Sequence, residues 1–447
     1  MKHNQPISLF EYSNHTFDEP LTQRQSIALN RRCHDINTHA GRDVLTVRHN
    51  TVNQIVGLRS YQYVGVLQID NSLTIQILPK MYESDGEQDA TTQSIQNLLY
   101  MLNYCGKLVN PHDSSAHLRR FQGDFYEVLI HLYASSLLHE MRNSLHHEYV
   151  TMDQNLPYLR GKLLFNQHLL RNSVSQNRFF ITTDEFLEDN PLNRVFAYAS
   201  KQLLSATRNV KNRQLLLELD HILADVTPTK ITYEYADSIK INRLNQRFAP
   251  SLELAKLFLS GSTLQLSSAR FPTATFFIDM NSLFEDYIAK LVKQLAAPDQ
   301  LVYTQGPREH LVVGSRSADS SDIVKNQMFQ MKPDITIGSL ETNAYSHIID
   351  TKYKILEPTE RKLGVSQSDM YQMYAYSRKY NVRDITLLYP ELPDQPIDST
   401  SHVLDDECTV HIRSVNLSRD LRSSVQEIRS ELSEIFNIGK SSKISRH

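Results

Sequence analysis

The spacing of apolar residues changes twice along this 447-residue chain, and that change limits the architectures open to it. Apolar positions that recur every two residues pack as a strand, and those that recur every three to four pack as a helix. From about Val44 to Glu83 the apolar runs are short and β-prone. Tyr63-Val64-Gly65-Val66-Leu67-Gln68-Ile69 and Leu73-Thr74-Ile75-Gln76-Ile77-Leu78 flank the polar Asp70-Asn71-Ser72, the pattern of a hairpin. After the acidic stretch from Glu83 to Asp89 a helical period takes over through Ile95, Leu98, Leu99 and Leu102. From His117 to Ser260 the spacing is mostly helical. Phe125, Leu129, Leu132 and Leu137 make one stripe; Leu192, Phe196, Ala199 and Leu203 make another after Asn190-Pro191, where proline suits a first turn. Leu159 to Phe165 reads as a turn into a strand or helix, and a helix from Pro250 is expected to end at Gly261-Ser262.

The last third mixes the two periods. A helix carries Met280, Leu283, Phe284, Tyr287, Ile288 and Leu291, and strand-like Asp334 to Ile337 and His347 to Tyr353 follow. A Tyr-rich helix from Asp369 to Tyr380 and a β-run from Ile385 to Tyr389 come next. A helical stripe over Leu417 to Phe436, through Leu421, Val425, Ile428, Leu432 and Ile435, closes the pattern as a docking face. The patterns predict an α/β and α+β multidomain protein. Residues 1–115 form a β-rich N-terminal domain, 116–270 a mainly helical middle domain, and 271–447 an α/β core with a C-terminal helix.

Composition removes several classes. No apolar run approaches the ~18 residues needed to span a bilayer. Met1 to Asn14 is too polar for a signal peptide, so a cytoplasmic protein with no membrane contact is expected. Cys33, Cys105 and Cys408 are widely spaced without a CxxC pair, so any metal is expected on oxygen or imidazole. Lys and Arg number 47 against 50 Asp and Glu, a net charge of −3, so nucleic-acid binding would need a local basic surface. A phosphate-cradling loop needs Gly, four residues, then Gly-Lys-Ser/Thr. Gly106-Lys107 and Gly161-Lys162 are followed by leucine, and Gly439-Lys440-Ser441 has Glu434 where the first glycine belongs. No nucleotide is expected on this chain itself.

The sharpest chemical signal is Pro333-Asp334 with Asp350-Thr351-Lys352 sixteen residues after Asp334. Strand residues two apart share a face, so Asp350 and Lys352 project together, and a hairpin would bring Asp334 beside them. Two carboxylates and the Thr351 carbonyl make an open site for a hard cation, Mg²⁺ or alternatively Mn²⁺. Such a cation acidifies water and polarises a phosphate, and Lys352 would steady the developing charge: the chemistry of phosphodiester hydrolysis. Taken alone, the same residues are more often a surface ion pair. His146-His147 have no metal-ligand spacing. Tyr371, Tyr374, Tyr376 and Tyr380 recur at helical spacing that suits core packing, although aromatics can stack on bases. Of the short basic pairs, Arg361-Lys362 lies nearest the candidate site.

Pro333-Asp334-Ile335 with Ile349-Asp350-Thr351-Lys352-Tyr353-Lys354 resembles the nuclease motif of the PD-(D/E)xK superfamily, and Gln372-Met373-Tyr374-Ala375-Tyr376 is similar to the QxxxY helix of its RecB-like branch. More narrowly the chain resembles the McrC family, nuclease subunits of McrBC modification-dependent restriction systems. Ile77-Leu78-Pro79-Lys80-Met81-Tyr82-Glu83 looks like that family's LPKxxE segment and Leu159-Arg160-Gly161-Lys162-Leu163 its LxGxL segment. Asp189-Asn190-Pro191-Leu192-Asn193-Arg194 looks like its DNxLNR segment and Leu283-Phe284-Glu285 its LFE helix. The resemblance implies a restriction-endonuclease-like core in the C-terminal domain. It also implies a metal-dependent DNA endonuclease, acting in antiviral defence with a McrB-like hexameric AAA+ GTPase on double-stranded DNA expected to be methylated. The family's nuclease residues carry over onto Glu285, Asp334, Asp350 and Lys352, with Gln372 and Tyr376 in support. Lys80 and Glu83 fall in the part that engages and stimulates the GTPase. The alternatives are a non-cutting adaptor that stimulates a GTPase, and a self-sufficient RecB-like nuclease.

Overall fold

The computed structural model describes residues 6–436 except 53, 71, 81–86, 108–120, 122, 175–176, 264–274, 317–322, 325, 343, 355, 357–359, 361, 392–396 and 405–407. It is a mixed α/β protein. The expected hairpin forms between Tyr63–Gln68 and Thr74–Leu78, with Val66 opposite Gln76. It sits inside a four-stranded sheet, Ile7–Phe10 pairing parallel to Thr74–Leu78 and Thr275–Asp279 antiparallel to Tyr63–Gln68. Both hairpin strands are therefore buried on both faces. The inward Gln76 is matched by Ser8 Oγ (2.8 Å), the Gly123 carbonyl (3.1 Å) and the Phe125 amide (3.2 Å), which is how a polar residue tolerates the interior. Gly65 is required because a Cβ there would lie 2.1 Å from the Phe276 carbonyl. Residues 275–279 thus return the chain to its first sheet, and both expected domain boundaries, at 115 and 270, lie outside the described residues.

The helix Gln23–Ala40 was not legible from apolar spacing, but its ends are. Thr22 and Gln25 form a reciprocal capping box and Gly41 closes the helix at φ 65°. Leu29, Cys33 and Ile36 are buried in a core shared with Leu45 and Leu58 of the three-stranded sheet Asn14–Thr16, Ile55–Ser60 and Leu45–His49.

The helical stripes of the middle region become Phe125–Asn143, Pro191–Ala206, Val210–Ile222 and Ala249–Thr263. The last of these runs through Gly261, so the Gly-Ser pair does not end it; one glycine costs a helix only about 1 kcal/mol. The spacing also missed a sheet, Glu148–Leu156, Phe179–Leu187 and Lys162–Leu163. Neither long strand buries a whole face, so no alternation of apolar and polar residues announces it. Gly161, at φ 76°, lets the turn approach its neighbour where a Cβ would meet the Thr182 carbonyl at 2.3 Å.

A six-stranded sheet holds the last third in the order Gln300–Thr304, Ile335–Ser339, Tyr345–Thr351, Asp384–Glu391, Thr409–Asn416, Thr400–Val403. Tyr345–Thr351 runs antiparallel to Ile335–Ser339 and parallel to Asp384–Glu391. The stripe over Leu417 to Phe436 is only half helix. Val425–Phe436 is helical, whereas Leu417 and Leu421 are buried in the turn before it. That turn is gripped by Asn97 of the helix Glu87–Tyr104. Asn97 Nδ2 donates to the Arg419 carbonyl at 2.7 Å and its Oδ1 accepts from the Leu421 amide at 3.1 Å. Asn97→Ala would strand both groups, so it is expected to lower unfolding free energy by about 2–3 kcal/mol in urea denaturation. A loss below about 0.5 kcal/mol would mean that water replaces the side chain.

Candidate active site

Register builds this site. Ile335 lies opposite Ile349, so Asp334 and Asp350 come together across the hairpin. Thr351 fixes the meeting: its amide and its hydroxyl each donate to Asp334 Oδ2 at 2.8 Å. Asp350 is on the third of six strands, just past the buried Ile348 and Ile349, and is 1% exposed. This is an interior position, which excludes the surface-pair reading. Lys352, on the same strand face, brings its Nζ to 2.6 Å from Asp350 Oδ2.

The helix Gln367–Tyr380 completes the arrangement. It is started by Ser366 and Asp369 in a capping box. Gln372 and Tyr376, one turn apart, form a relay: Lys352 Nζ donates to Gln372 Oε1 (3.2 Å), Gln372 Nε2 to the Tyr376 oxygen (2.9 Å), and Tyr376 to the Lys332 carbonyl (3.3 Å). Asp369 also takes Lys354 Nζ at 2.9 Å, so a second lysine, two residues past Lys352, neutralises the nearest acidic neighbour on the helix.

Burial, joined by the Asp334 charge, raises the Asp350 carboxyl, and the Lys352 charge opposes the rise. Burial also raises Asp334, against the two Thr351 hydrogen bonds and the charges of Lys352 and Lys332. For Lys352 burial works against the charge, but Asp350, Asp334 and Asp369 outweigh it and hold the ammonium above its ordinary value. Glu285, on the helix Met280–Leu295, is pushed up to about 7 by burial and by Asp334, against a hydrogen bond from Gln305. Among the described residues no group of three His, Cys, Asp or Glu side chains closes a metal cage. Two acidic side chains that burial and mutual repulsion both penalise nevertheless fit a hard divalent cation, which needs only one or two carboxylates and keeps several waters.

The structure therefore brings together Glu285, Asp334, Asp350, Thr351, Lys352, Gln372 and Tyr376. Lys362 is exposed in the turn before the Gln372 helix, and Arg361 lies outside the described residues. Lys80 lies just past the end of the inner strand Thr74–Leu78, and its amide donates to Glu11 Oε1 at 2.9 Å; Glu83 lies outside the described residues. Sequence reasoning missed Gln305, whose amide holds the Asp334 carbonyl at 2.7 Å, because its left-handed φ of 54° leaves no trace in residue type. It also missed the Lys354–Asp369 pair, for which the second Lys at a spacing of two was the available signal.

Because Glu285 is raised above its ordinary 4.5, the folded chain binds this proton more tightly than the unfolded chain, and stability falls as pH climbs from 4.5 to about 7. Glu285→Gln should gain on wild type by about 1 kcal/mol across that window, after discount for partial exposure. Denaturant midpoints measured at both ends check this; parallel pH curves would show that the carboxyl keeps its ordinary value.

Comparison with known proteins assigns the chain to a family. Residues 58–390 match the family described as McrBC 5-methylcytosine restriction system component. No curated protein matches the chain. Among solved structures, a refined half-complex from a tetradecameric assembly of Thermococcus gammatolerans McrB AAA+ hexamers with bound McrC aligns with a TM-score of 0.66 and 24% identity, covering 96% of this chain and 100% of that one. At that identity the likeness is one of fold. The cryo-EM structure of the Thermococcus gammatolerans McrBC complex aligns with a TM-score of 0.50 and 27% identity over 65% of this chain and 88% of that one. The family match spans most of the sequence, including every residue assembled at the site, and the chain belongs to the McrBC 5-methylcytosine restriction system component family.

Proposed function

We propose that this chain is the metal-dependent DNA endonuclease subunit of a McrBC-like modification-dependent restriction complex. It hydrolyses phosphodiesters while a partner AAA+ GTPase hexamer translocates the DNA, and it stimulates that GTPase. The carrying observation is the buried Asp350 joined at 2.6 Å to Lys352, with Asp334 fixed beside it by Thr351. A docking adaptor has no use for two penalised carboxylates and a lysine in one interior corner.

Asp334, Asp350 and the Thr351 carbonyl would hold Mg²⁺, or Mn²⁺, which when bound polarises the scissile phosphate and lowers the pKa of water. Lys352 supplies a fixed positive charge for the phosphate oxygens and, through its ammonium protons, orients the attacking oxygen. Gln372 and Tyr376 hold that ammonium in place by the relay from the helix. Glu285, protonated up to about pH 7, can exchange a proton at the margin of the site. Arg361 and Lys362 are assigned to the DNA backbone.

The family match and the relative solved with McrB hexamers support a hexameric AAA+ partner. The test is plasmid cleavage, methylated and unmethylated, with and without the AAA+ protein encoded beside this chain, under GTP, ATP or neither. Cutting that needs partner and GTP upholds the proposal. GTPase stimulation without cutting would make the chain an adaptor, and cutting without partner or nucleotide would make it an autonomous nuclease.

Asp350→Ala and Lys352→Ala are each expected to lower cleavage at least about 100-fold while GTPase stimulation stays within about twofold. Equal loss of both activities would break the assignment. Exchanging Lys80 or Glu83 for alanine should do the reverse, weakening GTPase stimulation first. Unchanged GTP turnover in those variants would remove the N-terminal segment from partner coupling.

A further inference from the structure

We infer that Glu11 is a positioning residue that ties the Lys80 segment to the strand end carrying Asp350 and Lys352, an inference that rests on the nuclease reading above. Glu11 follows the strand Ile7–Phe10, and its amide donates to the Leu78 carbonyl at 2.9 Å, continuing the sheet alongside the Leu78-Pro79-Lys80 segment. Its side chain is 1% exposed. One carboxylate oxygen serves two donors from distant parts of the chain. Oε1 accepts from the Lys80 amide at 2.9 Å and from the Tyr353 hydroxyl at 2.5 Å.

Tyr353 directly follows Lys352 and is itself buried, its ring 5.7 Å from that of Phe284 on the Glu285 helix. The neighbour of Glu11 adds a second tie, with the Tyr12 hydroxyl donating to the Tyr353 carbonyl at 3.4 Å. Tyr12 reaches it from a left-handed backbone at φ 56°, a conformation that costs a non-glycine residue free energy. The other carboxylate oxygen, Oε2, is buried with no hydrogen-bond partner among the described residues.

An apolar residue would fill this space more cheaply than a half-satisfied carboxylate. What the carboxylate adds is a directional link: displacement of the Lys80 amide pulls on the oxygen that also holds the residue next to Lys352. Burial raises the Glu11 carboxyl to about 7, and the hydrogen bonds from the Tyr353 hydroxyl and the Lys80 amide pull against that rise. The segment assigned to the GTPase partner and the end of the nuclease strand are thereby joined through one atom.

The experiment uses the full chain with its AAA+ partner, GTP, Mg²⁺ and plasmid DNA. It reads strand breaks per GTP hydrolysed, GTPase stimulation, melting temperature, and hydrogen exchange at residues 349–354 with and without the partner. Tyr353→Phe should lower breaks per GTP about tenfold. GTPase stimulation should stay within about twofold, and the exchange response to the partner should disappear. Glu11→Gln, which keeps an acceptor oxygen for both donors, should retain the wild-type ratio, and Glu11→Ala should not. A wild-type ratio in Tyr353→Phe overturns the proposal, as does a fall in cutting, GTPase stimulation and melting temperature together, which marks a merely structural tie. If wild type does not cut, the exchange response still decides. Its presence in wild type and absence in Tyr353→Phe upholds the link while the nuclease reading fails; its absence in wild type sinks the link.

Discussion

The contact between Lys352 and Asp350 at the end of an interior strand sets the terms for the C-terminal half of this protein. A carboxylate at that depth is unstable unless a positive charge meets it, and a lysine that reaches inward must itself be held. Strand alternation puts both on one face, and the sheet order puts their strand between Ile335–Ser339 and Asp384–Glu391. The helix Gln367–Tyr380 supplies the acceptor that holds the ammonium, and Thr351, on the opposite strand face, holds the second carboxylate. Removing Lys352 would leave the buried Asp350 without its partner cation, whereas Lys352 without Asp350 would still face Asp334, Asp369 and Gln372.

The polar motifs of the middle region serve architecture. Asn190 caps the helix Pro191–Ala206 by accepting from the Asn193 amide at 3.0 Å, and both asparagines donate to the His146 carbonyl. Arg194 grips Asp189 through two hydrogen bonds, which draw that carboxyl down to about 2. The Asp189-to-Arg194 segment is therefore a lock between the end of the middle sheet and the helix that follows it. A motif rich in charge and amide can be shared across a family because it satisfies buried backbone groups, without any part in chemistry.

Legibility followed the strength of each local signal. The hairpins at Tyr63–Leu78 and Asp334–Lys352 were readable because a polar turn separates two β-prone runs, and the Gln372 helix because its period is sustained. The Gln23–Ala40 helix was readable only at its caps, and the sheet over residues 148–187 hardly at all, since exposed strands need not alternate. At the site, Asp334, Asp350 and Lys352 could be grouped from spacing alone, Glu285 stood out as a carboxylate on an upstream apolar helix, and Gln372 and Tyr376 were assigned to the site only through the family resemblance. Gln305 and Glu11 were invisible, because each acts on residues that become neighbours only when distant strands pair.

The sequence by itself determined the periods of the elements, the absence of a P-loop, the oxygen and nitrogen character of the candidate site, and the likeness to the McrC family. Tertiary structure decided what periodicity cannot encode. It made the Asp350 strand a central one, returned residues 275–279 to the first sheet, and turned the Leu417 stripe into a buried turn gripped by Asn97. It also brought Glu11 to Tyr353, 342 residues away. The physical reason is that local pattern sets which face of an element is apolar, whereas neighbours are chosen by the packing of whole faces and by the need to pair every buried polar group.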